Sequence, residues 1–154
     1  MELASRDITV RSGEEILILP IGDIQYAGEG SSTALTSLKK HIQWGVDREA
    51  YFVGMGDYVD FASPSNRQRL RSAALHDTAN DVIELSAAQL VKEIYERALK
   101  PSTGRWLGLV EGHHFYQYAA GHTTDMELCN LLKTQFLGTS AYVRLLFHHA
   151  KRKG

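Results

Sequence analysis

A chain of 154 residues with 44% hydrophobic and 23% charged side chains can bury one core of ordinary globular composition. Lys and Arg number 17 against 18 Asp and Glu, so the formal net charge of −1 excludes a global pull toward nucleic acid or anionic membrane, and the single Cys129 excludes an intrachain disulfide framework. With no apolar stretch of bilayer length and no signal-peptide core after Met1, the expectation is a soluble, cytoplasmic protein with no membrane partner.

Residues 7–11 alternate as an edge strand does and lead through Ser12-Gly13 into a buried strand at 15–21. Gly28 to Ser32 read as loop and helix entry, with Ser31 or Ser32 as N-cap. The spacing of Leu35, Leu38, Ile42 and Val46 then predicts a helix over 33–46, and a strand at 50–54 completes a βαβ unit. Residues 61–77 are polar and irregular around Ser63-Pro64-Ser65-Asn66-Arg67. A long helix with room for one break is expected over 78–100, burying Ile83, Ala87, Leu90, Ile94 and Ala98 and exposing a Glu93/Arg97 pair at i,i+4. Pro101 and Gly104 end it before a strand at 105–110. Thr124-Asp125-Met126-Glu127 is a capping-box pattern, predicting a helix to about 137 that Gly138 stops. Tyr142 to Phe147 read as a last strand, and His148-His149 as the turn of a hairpin whose second strand is absent. Residues 1–154 are thus expected to form one domain that continues in a longer protein, because an uncapped sheet edge is normally avoided.

Three of the predicted strands end in glycine followed by ligand-type side chains. They give Gly22-Asp23-Ile24-Gln25, then Gly54-Met55-Gly56-Asp57-Tyr58-Val59-Asp60, then Gly112-His113-His114. The carboxyl ends of parallel strands form one crevice, so two Asp, a Gln and two His delivered there predict a metal site. Two divalent cations about 3.5–4 Å apart clamp a phosphoryl group for in-line attack, and the pair needs a bridging carboxylate. Asp57 is the candidate bridge, Asp23 and Gln25 the ligands of the first metal, and His113 that of the second. His114 would protonate the leaving oxygen, with Asp60 holding its tautomer and orientation. The mixed oxygen and nitrogen donors favour Mn²⁺ or Fe, with Zn²⁺ open at the His113 side.

In these residues the chain resembles the calcineurin-like metallophosphoesterases. Their first three motifs are Asp-x-His, Gly-Asp-x-x-Asp and Gly-Asn-His-Glu/Asp, matched here by Asp23-Ile24-Gln25, Gly56-Asp57-Tyr58-Val59-Asp60 and Gly112-His113-His114-Phe115. The resemblance covers about residues 15–115. It implies an α/β fold, the N-terminal portion of a metallophosphoesterase-like sandwich of β-sheets flanked by helices. It also implies two-metal hydrolysis of a phosphomonoester or phosphodiester, nucleotides and nucleic acids included among the substrates. Gln25 departs from a family His, His113 from an Asn, and Phe115 from an acid. Phe61 stands where the protein-phosphatase branch has a phosphate-binding Arg, and the later Gly-His-x-His motif has no match, which would leave this fragment with a half-built site. Two other readings are a degenerate, non-catalytic binding module and a nuclease of DNA repair or phage replication.

Each residue has a plainer reading beside this one. Asp23 and Asp57 taken singly are turn acids, Gln25 can orient a water, and His113 and His114 can exchange roles. Arg67 can grip a phosphate, or belong with Arg69 and Arg71 to a solvated basic loop. Phe115, Tyr116 and Tyr118 could stack a base, but fit a cover for the sheet end better. His41, His76 and His122 read as surface or packing residues, His148 and His149 as pointing apart, and Cys129 as core.

Overall fold

The computed structural model describes residues 2–30, 33–61 and 77–149, which form a mixed α/β fold of parallel strands in open sheets. The strands are β1 (Glu2–Val10), β2 (Ile18–Ile21), β3 (Tyr51–Gly54), β4 (Trp106–Leu109) and β5 (Ala141–His149); the helices are α1 (Leu35–Asp47), α2 (Asp77–Ile94) and α3 (Thr124–Leu132). β2, β3 and β4 lie side by side in chain order, all parallel, so two crossovers bring three carboxyl ends to one edge. β3 is central, and Phe52 is fully buried against Trp106, ring centroids 5.3 Å apart.

The α1 stripe packs as its spacing predicts, with Ile42 fully buried and Leu35, Leu38 and Val46 against the core. Gly45 belongs to the same face and lets the helix approach the sheet: a Cβ there would lie 2.6 Å from Leu19 Cδ1 and 2.8 Å from Phe52 Cζ. The N-cap is Ala34, which makes no side-chain capping bond, while Ser31 and Ser32 lie outside the described residues.

Several boundaries differ from expectation, each for a tertiary reason. β1 starts at Glu2 and pairs in parallel with β5, from Glu2 opposite Ala141 to Val10 opposite His149, rather than feeding an edge beside β2. A partner about 140 positions away leaves no local trace in sequence. His148 and His149 accordingly lie within β5 and not in a turn, and His148 Nε2 sits 2.7 Å from Asp7 Oδ1. Arg6 joins the two sheets, donating to Gly104 O at 3.3 Å with its guanidinium over the Tyr51 ring.

The long helix breaks once. α2 passes at Tyr95–Leu99 into a π-helical turn and then a 3₁₀ turn at Lys100–Ser102. The π turn changes the angular step between Glu93 and Arg97, and no direct ion pair between them is among the described contacts. Both instead meet the Tyr26 hydroxyl, which donates to Glu93 Oε2 at 2.9 Å and accepts from Arg97 Nη1 at 3.0 Å. α3 is capped one residue early, by Thr123 Oγ1 accepting from Met126 N at 3.3 Å, and ends at Leu132 with Lys133 left-handed. It stops well short of 137 because Gln135 to Leu137 run along β4, bonded at Leu109 N to Gln135 O and at Leu137 N to Leu109 O. No helix among the described residues is long and apolar enough to cross a membrane.

Gly45→Ala tests the helix–sheet approach. Alanine favours a helix interior by about 1 kcal/mol over glycine, yet overpacking Leu19 and Phe52 costs about 1–3 kcal/mol. The expected outcome is net destabilisation in urea unfolding; a more stable variant would show that the sheet gives way freely.

Candidate functional site

Beyond their strands, the β2 and β3 segments stay paired. Asp23 N donates to Gly56 O at 3.1 Å, Gln25 N to Asp57 O at 2.9 Å, Tyr26 N to Tyr58 O at 3.2 Å, and Asp60 N to Tyr26 O at 3.0 Å. This irregular ladder buries Ile24 and Tyr26 and turns Asp23 and Gln25 outward, with Asp57 and Asp60 half-buried beside them. Its backbone is unusual. Asp23, Gln25 and Asp57 have φ of 53°, 48° and 54°, and the other two described non-glycine residues with positive φ, Glu49 and Lys133, occupy a turn and a helix end. Side-chain-bearing residues rarely adopt this region, Gln more rarely than Asp, and such outliers cluster at functional sites.

The third strand end meets this ladder through glycine. A Cβ at Gly56 would lie 2.9 Å from Gly112 Cα, and a Cβ at Gly112 would overlap the backbone of Asp57. At that contact Asp57 Oδ1 accepts the backbone N–H of His113 and that of His114, the latter at 3.2 Å. His114 Nδ1 lies 2.9 Å from Asp60 Oδ1, so the expected hydrogen bond between this acid and one ring of the His pair is present. Both side chains keep partial solvent access, at 27% and 41% exposure.

Two buried residues without an assigned role in the sequence reading support the rim. The Tyr58 hydroxyl donates to Val110 O at 2.9 Å and accepts from Gly56 N at 3.0 Å, joining the β4 end to the β3 loop. Burial pushes this phenol well above its ordinary range, so it stays protonated. Asp125, 1% exposed on α3, accepts from Gly112 N at 2.9 Å. Its motif context pointed only to a capping box, and no local signal ties it to Gly112.

The structure thus brings Asp23, Gln25, Asp57, Asp60, His113 and His114 to one edge, but joins their side chains pairwise. Gln25 Nε2 donates to Asp23 Oδ1 at 2.9 Å, and Asp60 meets His114. Among the described residues no group of three or more His, Cys, Asp or Glu is gathered to hold a metal ion. Arg67 lies outside the described residues, as do Arg69, Arg71 and His76. Phe61, Tyr116, Tyr118 and His122 form a chain of rings, Phe61 on Tyr116, Tyr116 on Tyr118, and Tyr118 stacked on His122 at 4.4 Å. A cleft of about 380 Å³ opens beside Asp23 between β2 and α1, walled by Pro20, Ile24, Leu38 and His41. Cys129 is buried, and burial together with the Asp125 charge pushes its thiol up to about 12, which removes it as a nucleophile.

No protein-family model, curated protein or solved structure matches the chain. The family resemblance rests on the three motifs alone.

Tyr58→Phe should cost about 1–3 kcal/mol in chemical denaturation, because it strands Val110 O and Gly56 N without their buried partner. An unchanged midpoint would mean that water replaces the hydroxyl there.

Cys129 predicts an alkaline dependence. Its folded thiol titrates at about 12 against an ordinary 9.0, so its contribution to stability is full below about pH 9 and is lost as pH rises toward 12. Cys129→Ser should flatten the decline of unfolding free energy over that window. A slope identical to wild type would assign the decline to the tyrosines.

Proposed function

We propose that this rim is a centre for metal-dependent hydrolysis of a phosphomonoester or phosphodiester. The observation that supports the reading most is the left-handed backbone of Asp23, Gln25 and Asp57. Three strained non-glycine residues at the carboxyl ends of β2 and β3 are costly to keep, and the first three motif positions coincide with them. The donors fit two divalent cations in type: the Asp23 carboxylate and the Gln25 amide oxygen would hold one, the His113 imidazole the other, and the Asp57 carboxylate would be shared between them. Such an ion, when bound, acidifies a water and polarises a phosphoryl oxygen, with Mn²⁺ or Fe favoured by the donor set and Zn²⁺ next.

The chain's own groups account for the remaining chemistry. Asp60, when ionised, accepts from His114 Nδ1–H and orients the ring. In the doubly protonated ring Nε2–H would give its proton to the departing oxygen, leaving the neutral Nδ1–H tautomer that Asp60 holds. The cleft beside Asp23 offers room for the organic part of the ester, with apolar walls for contact and His41 and Ser37 at its polar side. The Asp57 carboxylate has a double duty, because its Oδ1 also closes the His113-His114 turn.

That double duty favours one second reading, a non-catalytic binding module. In that reading Asp57 is a loop-closing acid, and the pairwise rather than clustered arrangement of ligand-type side chains is the resting arrangement of the rim.

The two readings are separated by assaying hydrolysis of p-nitrophenyl phosphate and bis(p-nitrophenyl) phosphate with Mn²⁺, alongside thermal melts. Turnover should need added metal and fall by about 10²-fold or more in His114→Ala, as loss of a general acid does. Mn²⁺ should raise the melting temperature of the wild type and not of Asp57→Asn. A metal-induced shift without turnover would favour the module. An equal shift in both proteins would place the metal elsewhere and remove the Asp57 assignment.

A further inference from the structure

Asp125 is a carboxylate almost wholly removed from solvent on the first turn of α3, and a buried charge needs hydrogen-bonding partners to persist. Its plainest role would be to cap its own helix. Thr123 already does that, accepting from Met126 N. Asp125 Oδ2 reaches across to Gly112 N, 13 positions earlier in the chain and on the far side of the aromatic segment. Gly112 is the residue whose backbone abuts Asp57, and the next two N–H groups are those that Asp57 Oδ1 accepts. Successive N–H groups of one turn are therefore held by two different carboxylates, one buried beneath it and one on the rim. Asp125 holds the peptide plane that carries the Gly112 N–H and Asp57 Oδ1 holds the next two, so the two carboxylates together limit the φ and ψ from which His113 and His114 leave the backbone.

We infer that Asp125 is a positioning residue for the His113-His114 turn, holding it through Gly112 N–H without touching any reacting group. The inference rests on the hydrolytic reading only where activity is measured; the backbone role stands on geometry alone. A carboxylate acceptor makes a shorter and stronger bond to N–H than a neutral one. Oxygen in the Asp125→Asn amide can still accept, whereas Asp125→Ala leaves Gly112 N–H buried and unsatisfied.

Amide hydrogen exchange in the full chain, followed by NMR, tests this. In Asp125→Ala the amides of Gly112, His113 and His114 should exchange at least about tenfold faster than in wild type, as expected when a charge-assisted bond is removed. Those of Tyr51 to Gly54 in the central strand should change several-fold less, and Asp125→Asn should restore most of the protection. Equal acceleration at the turn and in β3 would mean that Asp125 only stabilises the fold, and would overturn the proposal. If Asp125→Ala does not fold, the wild type decides by itself. A through-hydrogen-bond scalar coupling between Gly112 ¹⁵N and the Asp125 carboxylate ¹³C supports the inference, and its absence from a spectrum that resolves backbone couplings in β3 overturns it. In the hydrolysis assay, Asp125→Ala should lower kcat with little change in KM, and Asp125→Asn should recover it. Absence of turnover in the wild type would count against the hydrolytic reading, while the exchange pattern would still decide the role of Asp125.

Discussion

The backbone at Gly56-Asp57 runs against that of Gly112 so closely that a Cβ on either glycine would collide with the other segment, and the arrangement of the rim follows from that approach. With no side chain between them, Asp57 Oδ1 reaches the N–H groups of His113 and His114 directly. The same proximity lets Asp60, three residues further on, meet the His114 ring. Tyr58 lies between these two acids in sequence but points inward, and its hydroxyl joins the same two segments from beneath. One contact between two turns therefore fixes two acids, an imidazole and two backbone donors relative to one another.

The cost of that arrangement is carried by the surrounding packing. Left-handed φ at Asp23, Gln25 and Asp57 disfavours each by about 1–2 kcal/mol. The offset comes from the ladder of backbone bonds between residues 23–26 and 56–60 and from Ile24, Tyr26, Tyr58 and Val59 buried beneath it. Tyr26 extends the support to α2 through Glu93 and to the following π turn through Arg97, and hydrogen bonds from Gln89 and Tyr26 hold the Glu93 carboxyl below its ordinary range. Asp125 extends it to α3. The β2-end segment and the Gly112 turn are thus each attached to a helical element as well as to a strand, an arrangement suited to holding strained loops in one conformation.

Asp57 carries both the hydrolytic and the binding-module reading. A carboxylate has two oxygens, and the one directed at the backbone closes a turn whatever the other does. The exposed Asp23 and Gln25, paired to each other, form the outer lip where the cleft beside α1 begins. Charge, a cleft and an oriented imidazole share one edge, and the proposed hydrolytic reading draws on that juxtaposition. They come from segments separated by some thirty to ninety positions in the chain.

Local pattern determined much of this protein. The apolar spacing of Leu35, Leu38, Ile42 and Val46, the apolar runs before Gly22 and Gly54, and the glycine-plus-acid endings are all set by neighbours within a few residues, and the βαβ units with their shared edge follow from them, although β2 is shorter than expected and buries only Leu19 and Ile21. So does the His114–Asp60 contact, once parallel strands are expected to end together. What depended on distant partners was decided only by the fold. The pairing of β1 with β5, the early end of α3 as Gln135 to Leu137 join β4, and the meeting of Glu93 and Arg97 at Tyr26 each need a surface that another part of the chain supplies. Asp125 is the clearest case. By sequence it is an ordinary acid in a helix's first turn, and only packing of α3 beneath the β4 end turns its carboxylate toward Gly112, because burying that charge demands a donor and the turn presents one.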